Sequence, residues 1–225
     1  MSKTAYLVSL VLLFTILFSC EPKVRFEESQ PAGTATEKAF KSEYLGKYVS
    51  KDDPYLSITI SQQSIIQEIN EDLTIHPSQL DSTDFPGVDL KNKQEVMQAF
   101  SEDGYTVSSK NDSINAHRYK KTVLFELNDQ HELKLYQNMY LDNYKIVEKA
   151  WEVSTVKLSR GKILRFGEIT SPSDLENLKD LSNYQEIKDD SGNVISYSAK
   201  PDEKELKRFI RKRGVLKERV FVKVK

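Results

Sequence analysis

Apolar and polar residues alternate along this chain in short bursts separated by polar turns, and that pattern restricts its folds more than any other feature. Leu56, Ile58 and Ile60 alternate with Ser57 and Thr59. Val123, Phe125 and Leu127 alternate with Leu124 and Glu126, and Leu133 and Leu135 with Lys134 and Tyr136. A period of two places one set of side chains on each face of a β-strand. Strands are predicted over 44–49, 56–60, 64–69 and 151–158. Further strands are predicted over 163–169, 184–188, 194–199 and 216–224, with a short one at Leu73 and Ile75. The turns are read at Asp52-Asp53-Pro54, Ser61-Gln62-Gln63, Asn128-Asp129-Gln130, Asp142-Asn143, Ser159-Arg160-Gly161 and Asp190-Ser191-Gly192-Asn193, whose residue types favour turn conformations. In the last strand, Leu216, Val220, Val222 and Val224 are assigned to a core face, and Lys217, Arg219, Phe221 and Lys223 to a basic one.

Three short helices interrupt the strands. Asn92 is read as an N-cap with Glu95 in capping-box spacing, Val96, Met97 and Phe100 as the apolar face, and Gly104 as the stop. Ser171-Pro172-Ser173-Asp174 opens a second helix with Leu175, Leu178 and Leu181 on one side. Pro201-Asp202-Glu203 opens a third, carrying Leu206, Phe209 and Ile210. The fold expected is therefore mainly β with some α, an antiparallel meander forming a barrel or sandwich with about three short helices. Gly46 and Tyr48 open the meander. They resemble the Gly-x-Trp start of lipocalin-like barrels, with Tyr in the place of Trp, and the resemblance implies a closed barrel.

The N-terminal stretch has a different character. Lys3 is followed by Ala5 to Phe18, almost wholly apolar. About 14 residues suits the core of a secretory signal and falls short of the ~20 needed to span a bilayer. The stretch closes on Leu17-Phe18-Ser19-Cys20. This resembles the lipobox of bacterial lipoproteins, with Leu at −3, a small residue at −1 and Cys; Phe18 at −2 is bulkier than that pattern prefers. The resemblance implies cleavage between Ser19 and Cys20, and acylation of Cys20. It covers about a tenth of the chain and leaves the fold behind it open. In the same family Asp at +2 retains some lipoproteins in the inner membrane. Glu21 stands there instead, which favours the outer membrane. Cys20 is the one cysteine of the chain, so no internal disulfide can form and the folded state must rest on its apolar core.

This gives a signal peptide over 1–19, a polar tether over 20–41, and one β-rich domain over 42–225. A flexible tether of that length has an end-to-end distance of about 25 Å. The charge is nearly balanced, 33 Lys and Arg against 34 Asp and Glu. The overall balance therefore predicts no general affinity for nucleic acid or for a membrane surface.

Few residues signal chemistry. His76, His117 and His131 are far apart, with no second ligand at metal-site spacing. No H-E-x-x-H, G-x-S-x-G or Gly-rich phosphate loop occurs. No metal and no cofactor is expected. Asp81, Asp84 and Asp89 lie in an irregular stretch, His76 to Asn92, and read as Asx turns rather than a calcium loop. The sharpest local signal is basic. From Lys204 to Lys225, ten Lys or Arg stand against Glu205 and Glu218. Lys204, Arg208, Arg211 and Lys212 are assigned to the outer face of the last helix, a candidate patch for an anionic partner. Basic residues near a helix C-terminus also favour the dipole, and Glu203–Lys207 and Glu205–Arg208 are expected as surface pairs.

The functional expectation is a membrane-anchored envelope lipoprotein that is not an enzyme. It would bind a small ligand or an envelope protein, with a pocket bordered by 76–92. The alternative is an envelope hydrolase or glycan-processing enzyme, which requires two carboxyl groups converging in a cleft.

Overall fold

The computed structural model describes residues 23–81, 83, 85–160, 162–168, 176–212 and 217–224. Among them are thirteen strands and two helices longer than one turn, a mainly β, β-rich α+β fold. The chain divides into two compact units. One is formed by the chain up to Lys38 with Leu127–Leu158 and Arg165–Arg219, the other by Ala39–Glu126, Ser159–Leu164 and Val220–Lys225. Each unit is assembled from separated segments. Alternation along the chain cannot reveal which distant strands share a core.

In the first unit, β7 (His131–Tyr136), β8 (Met139–Val147) and β9 (Ala150–Ser159) form an antiparallel meander. A two-residue turn joins β7 to β8, with Gln137 at φ 47° and Asn138 at φ 68°. Both residues in the left-handed region match the tight turn that suits strand twist. β1 (Lys23–Phe26) meets β9 at Phe26↔Trp151 and runs parallel to β12 (Val194–Ala199), which turns back into β11 (Gln185–Lys188). That parallel pair departs from the all-antiparallel expectation.

The unit's core joins Val24, Phe26, Met139, Leu141 and Val153 to Leu178, Leu181, Leu206 and Phe209. The last two come from α2 (Glu203–Arg211). Its N-cap Asp202 accepts from the Glu205 amide, and the Glu205 side chain accepts from the Asp202 amide, a full capping box. Residues 176–178 form a helical turn, and the expected start at Ser171–Asp174 lies outside the described residues.

The tether expected over 20–41 is corrected from residue 23 onward. Val24 and Phe26 are buried, and so is Gln30. The Glu37 amide donates to the Leu133 carbonyl at 2.7 Å. Residues 29–31 are held by side chains of β7 and β8, described below, whereas Gly33, Ala35, Thr36 and Lys38 are exposed.

In the second unit the strand order is β13–β2–β3–β4–β6–β5, comprising β2 (Gly46–Ser50), β3 (Leu56–Ile60), β4 (Ser64–Ile75), β5 (Thr106–Lys110), β6 (Ser113–Glu126) and the end of β13 (Lys217–Lys223). Every pair is antiparallel. Tyr48, Ile58, Ile60, Ile65, Phe125 and Phe221 are buried, with Phe40 edge-on to Phe125 at 5.5 Å.

β4 runs unbroken through Ile75, where two strands were expected. It pairs with β6 over twelve residues, Ser64↔Glu126 to Ile75↔Ile114. The polar run Asn70–Asp72 suggested a break. Glu71 there accepts from Arg118 Nη2 and from the Tyr105 hydroxyl, each at 2.6 Å, with the guanidinium over the Tyr105 ring. The assigned faces of the last strand are also corrected. Phe221 is fully buried, whereas Val222 and Val224 are about half exposed. Phe221 and Lys223 lie on the face of Tyr48, and the Lys223 ammonium reaches over the Tyr48 ring to the Glu43 carbonyl at 3.0 Å. The large ring takes the core, and the stem of the lysine packs over Tyr48.

Neither unit closes into a barrel. Among the described strands β5 pairs only with β6, β7 only with β8, and β11 only with β12. The lipocalin-like expectation is therefore overturned. Gly46 has its own reason. Its φ is +131°, which strains any residue with a Cβ, and a Cβ there would also press on Lys223 Cε at 3.1 Å.

Candidate functional site

Four places invite a functional reading: the lipobox, the outer face of α2, the stretch 76–92 and the polar network of β7 and β8. Ser19 and Cys20 lie outside the described residues. The first described residue, Lys23, is already the start of β1.

On α2, burial of Leu206 and Phe209 fixes the rotation of the helix. Lys204, Arg208, Arg211 and Lys212 are accordingly all exposed on the outward side, as their spacing predicted. Lys212 Nζ meets Asp180 Oδ2 at 2.9 Å, and this bond holds the Asp180 carboxyl below its ordinary value. Among the described residues Lys204, Arg208 and Arg211 form no salt bridge. Glu205 does not pair with Arg208. Its carboxylate accepts from the Ser182 hydroxyl at 2.8 Å and from the Asp202 amide at 3.0 Å. The cap therefore turns the Glu205 carboxylate toward Ser182 and the Asp202 amide instead of toward Arg208, and these bonds lower its pKa.

The stretch between β4 and the first long helix, α1 (Lys93–Glu102), is a lid on a second small core. Leu80, Phe85, Val88 and Leu90 pack against Val96, Phe100, Ile114 and Ala116. Asp81 Oδ1 accepts from the Thr83 amide and Asp89 Oδ1 from the Lys91 amide, the Asx turns expected. Asp84 lies outside the described residues. Asn92 caps α1 by accepting from the Gln94 amide, but Glu95 bonds the Asn92 side chain and the Asp89 amide rather than completing a capping box. A shallow hollow of about 190 Å³ is lined by Gly87, Val88, Glu95, Gln98, Ala99 and Glu102. Glu95 and Glu102 share it seven residues apart, about 10 Å along a helix. Glu102 accepts from Gln98 at 2.9 Å.

The network of β7 and β8 was not legible in the sequence. Asp142-Asn143, read as a turn, lies inside β8 and is buried. Pairing of His131 with Tyr144 and of Leu133 with Asp142 puts the imidazole and the carboxylate on one face. His131 Nδ1 is 3.0 Å from Asp142 Oδ1, Ser154 Oγ donates to Asp142 Oδ2 at 3.3 Å, and the imidazole lies against the Tyr144 ring. Burial pushes the Asp142 carboxyl up, and the bonds from His131 and Ser154 oppose that shift.

On the opposite face, Asn143 accepts from the Gln30 amide at 2.5 Å and donates to the Gln30 carbonyl at 2.8 Å. Buried Lys134 donates to the carbonyls of Ser29 and Pro31 at 3.0 and 3.2 Å. Desolvation lowers its pKa, against the pull of Glu132. These groups pin residues 29–31 to the sheet. Of the other histidines, His117 pairs with Asp72 at 2.8 Å on an exposed face, and His76 precedes a 3-10 turn. No three metal-ligating side chains come together among the described residues.

No protein-family model matches this chain, and no curated protein or solved structure matches it significantly.

Proposed function

We propose that this chain is a lipid-anchored protein of the bacterial cell envelope, acylated on Cys20 after cleavage at Ser19, and that its folded part is a binding module rather than an enzyme. The observation that carries this reading is the lipobox-like Leu17-Phe18-Ser19-Cys20 behind a short apolar stretch, and the chain between it and the fold is short. Glu21 and Pro22 alone separate Cys20 from β1, whose Val24 and Phe26 are buried. Three residues span at most about 11 Å. A protein anchored this way works at a membrane surface, and its partner is an envelope protein or a small ligand. Glu21 at the second position favours the outer membrane.

The test is expression of the whole chain and of C20S in a diderm bacterium, followed by membrane fractionation and mass measurement of the N-terminal peptide. The expected result is an acylated peptide beginning at Cys20 and membrane recovery that C20S abolishes. Membrane recovery of C20S equal to the parent, with an unmodified N-terminus, refutes the anchor.

The alternative, an envelope hydrolase or glycan-processing enzyme, draws on the two carboxylates that share the hollow beside α1. It requires that purified protein cleave cell-wall glycan and that E95Q and E102Q each remove the cleavage. Intact glycan after prolonged incubation with the parent protein excludes it.

A further inference from the structure

The lipid anchor and the basic face of α2 belong to the same unit, and the distance between them is limited by chain length. β1 and α2 share one core, with Val24 and Phe26 against Leu206 and Phe209. α2 is about 13 Å long, and β1 has about the same length. Cys20 lies within about 11 Å of Lys23. An acyl chain on Cys20 therefore brings the outer face of α2 within a few tens of ångströms of the bilayer at most.

The register adds an apolar element at the anchor end. Lys23 pairs with Ser196 in the parallel ladder, so Ile195 lies one residue further toward Cys20. It shares its face with Tyr197 and Ala199, the side that α2 covers, and is 53% exposed. Lys204, Arg208 and Arg211 form no salt bridge among the described residues, and of the two acidic residues in their helix, Glu203 and Glu205, Glu205 is turned into the N-cap. Glu203 and Asp180 remain nearby, and Asp180 is occupied by Lys212.

We propose that the first unit docks on anionic phospholipid headgroups through Lys204, Arg208, Arg211 and Lys212, with Ile195 at the rim of the contact. The proposal rests on acylation of Cys20, which supplies the high local concentration that four weak charges need. A solvated basic helix face would form no such contact, and an acidic protein would be a different occupant.

The test uses the full acylated chain in vesicles of phosphatidylcholine with about 30 mol% phosphatidylglycerol, and in phosphatidylcholine alone. The readout is the rate at which an amine-acetylating reagent modifies Lys204, found by mass spectrometry and normalised to a free lysine peptide. Each basic residue at an anionic surface is worth about a fivefold effect. Lys204 is therefore expected to react at least about fivefold more slowly on the anionic vesicles, and about 0.5 M salt should restore the rate by screening. R208Q/R211Q should remove most of the protection while leaving the Lys212–Asp180 pair and the thermal unfolding midpoint unchanged.

Equal Lys204 rates on both vesicles, with the chain still floating with the lipid, overturn the proposal and leave the anchor intact. A chain that does not float and carries no acyl group on Cys20 overturns the anchor and the proposal together. Protection that appears only when envelope protein is added overturns it in favour of an acidic protein partner.

Discussion

Asn143 bonds both backbone groups of Gln30, and all three groups are buried. Truncating it leaves a buried amide and a buried carbonyl without that partner, at roughly 1–3 kcal/mol each. N143A is expected to lower stability by about 2–4 kcal/mol in chemical denaturation, with the loss of protection from hydrogen exchange starting at residues 28–32. Asp142 provides a pH test. Its folded carboxyl titrates above the unfolded one, so its contribution to stability is fully present below the unfolded value, about pH 4, and is lost as pH rises through the raised folded value. D142N has no such titration. Relative to the parent it should gain stability between about pH 4 and neutrality, read from denaturation midpoints across that range. A gap between parent and variant that stays constant with pH refutes the assignment. Tyrosines give the corresponding alkaline prediction. Burial is the main cause that pushes Tyr48, Tyr105 and Tyr184 up to about 12. Their stabilising share is present below the ordinary tyrosine value near 10 and lost as pH rises through about 12. Tyrosinate absorbance of the 11 tyrosines should rise in an early set, and a late set should coincide with unfolding.

At the scale of elements, the long pair β4–β6 is divided between two cores. Ile65 and Phe125 belong to the main core of their unit. The far half is covered by α1 and the lid of 76–92, and the Arg118–Glu71–Tyr105 cluster ties β4 and β6 to Tyr105, the residue before β5. Phe100 stands between Phe85 at 5.2 Å and Tyr105 at 5.4 Å. F100A should remove about 3–4 kcal/mol from this end. Hydrogen exchange should speed up across α1 and β5 while β2 and β3 keep their protection. Uniform loss across the second unit would mean that the two cores open as one. Helix positions were legible in the sequence because caps are local. Asn92 and Asp202 each accept the amide bonds that their residue type and position predict. Strand faces were less legible. Phe221 and Val222 are both apolar, and only the identity of the buried neighbour, Tyr48, decides which one turns inward.

For the whole molecule, if Cys20 is acylated as proposed, the decisive length is the chain between Cys20 and the fold. As read from sequence, a flexible tether would hold the protein about 25 Å from the membrane. With β1 starting at Lys23, the spacing falls to about 11 Å at most. Inserting a flexible Gly/Ser segment of about 12 residues before Lys23 should lengthen the link to about 20 Å. It should weaken the protection of Lys204 on anionic vesicles by diluting the local concentration, without releasing the protein from the membrane. The readout is the same acetylation rate. Unchanged protection would show that the anchor does not position the helix.

The sequence by itself determined the strand-rich fold class, both long helices with their caps, the Asx turns, the outward set of basic residues on α2 and the lipobox expectation. Each of these follows from spacing over fewer than about 20 residues, where periodicity and hydrogen bonding within one element act alone. Only the tertiary structure decided the rest. It made β1 a parallel strand, because Lys23–Phe26 pairs with residues more than 170 positions away. It turned Asp142-Asn143 from a turn into a buried pair, because His131, Ser154 and the backbone of Gln30 satisfy them there. A polar residue reads as solvated until its partner is known, and these partners arrive from β7, β9 and the N-terminal segment.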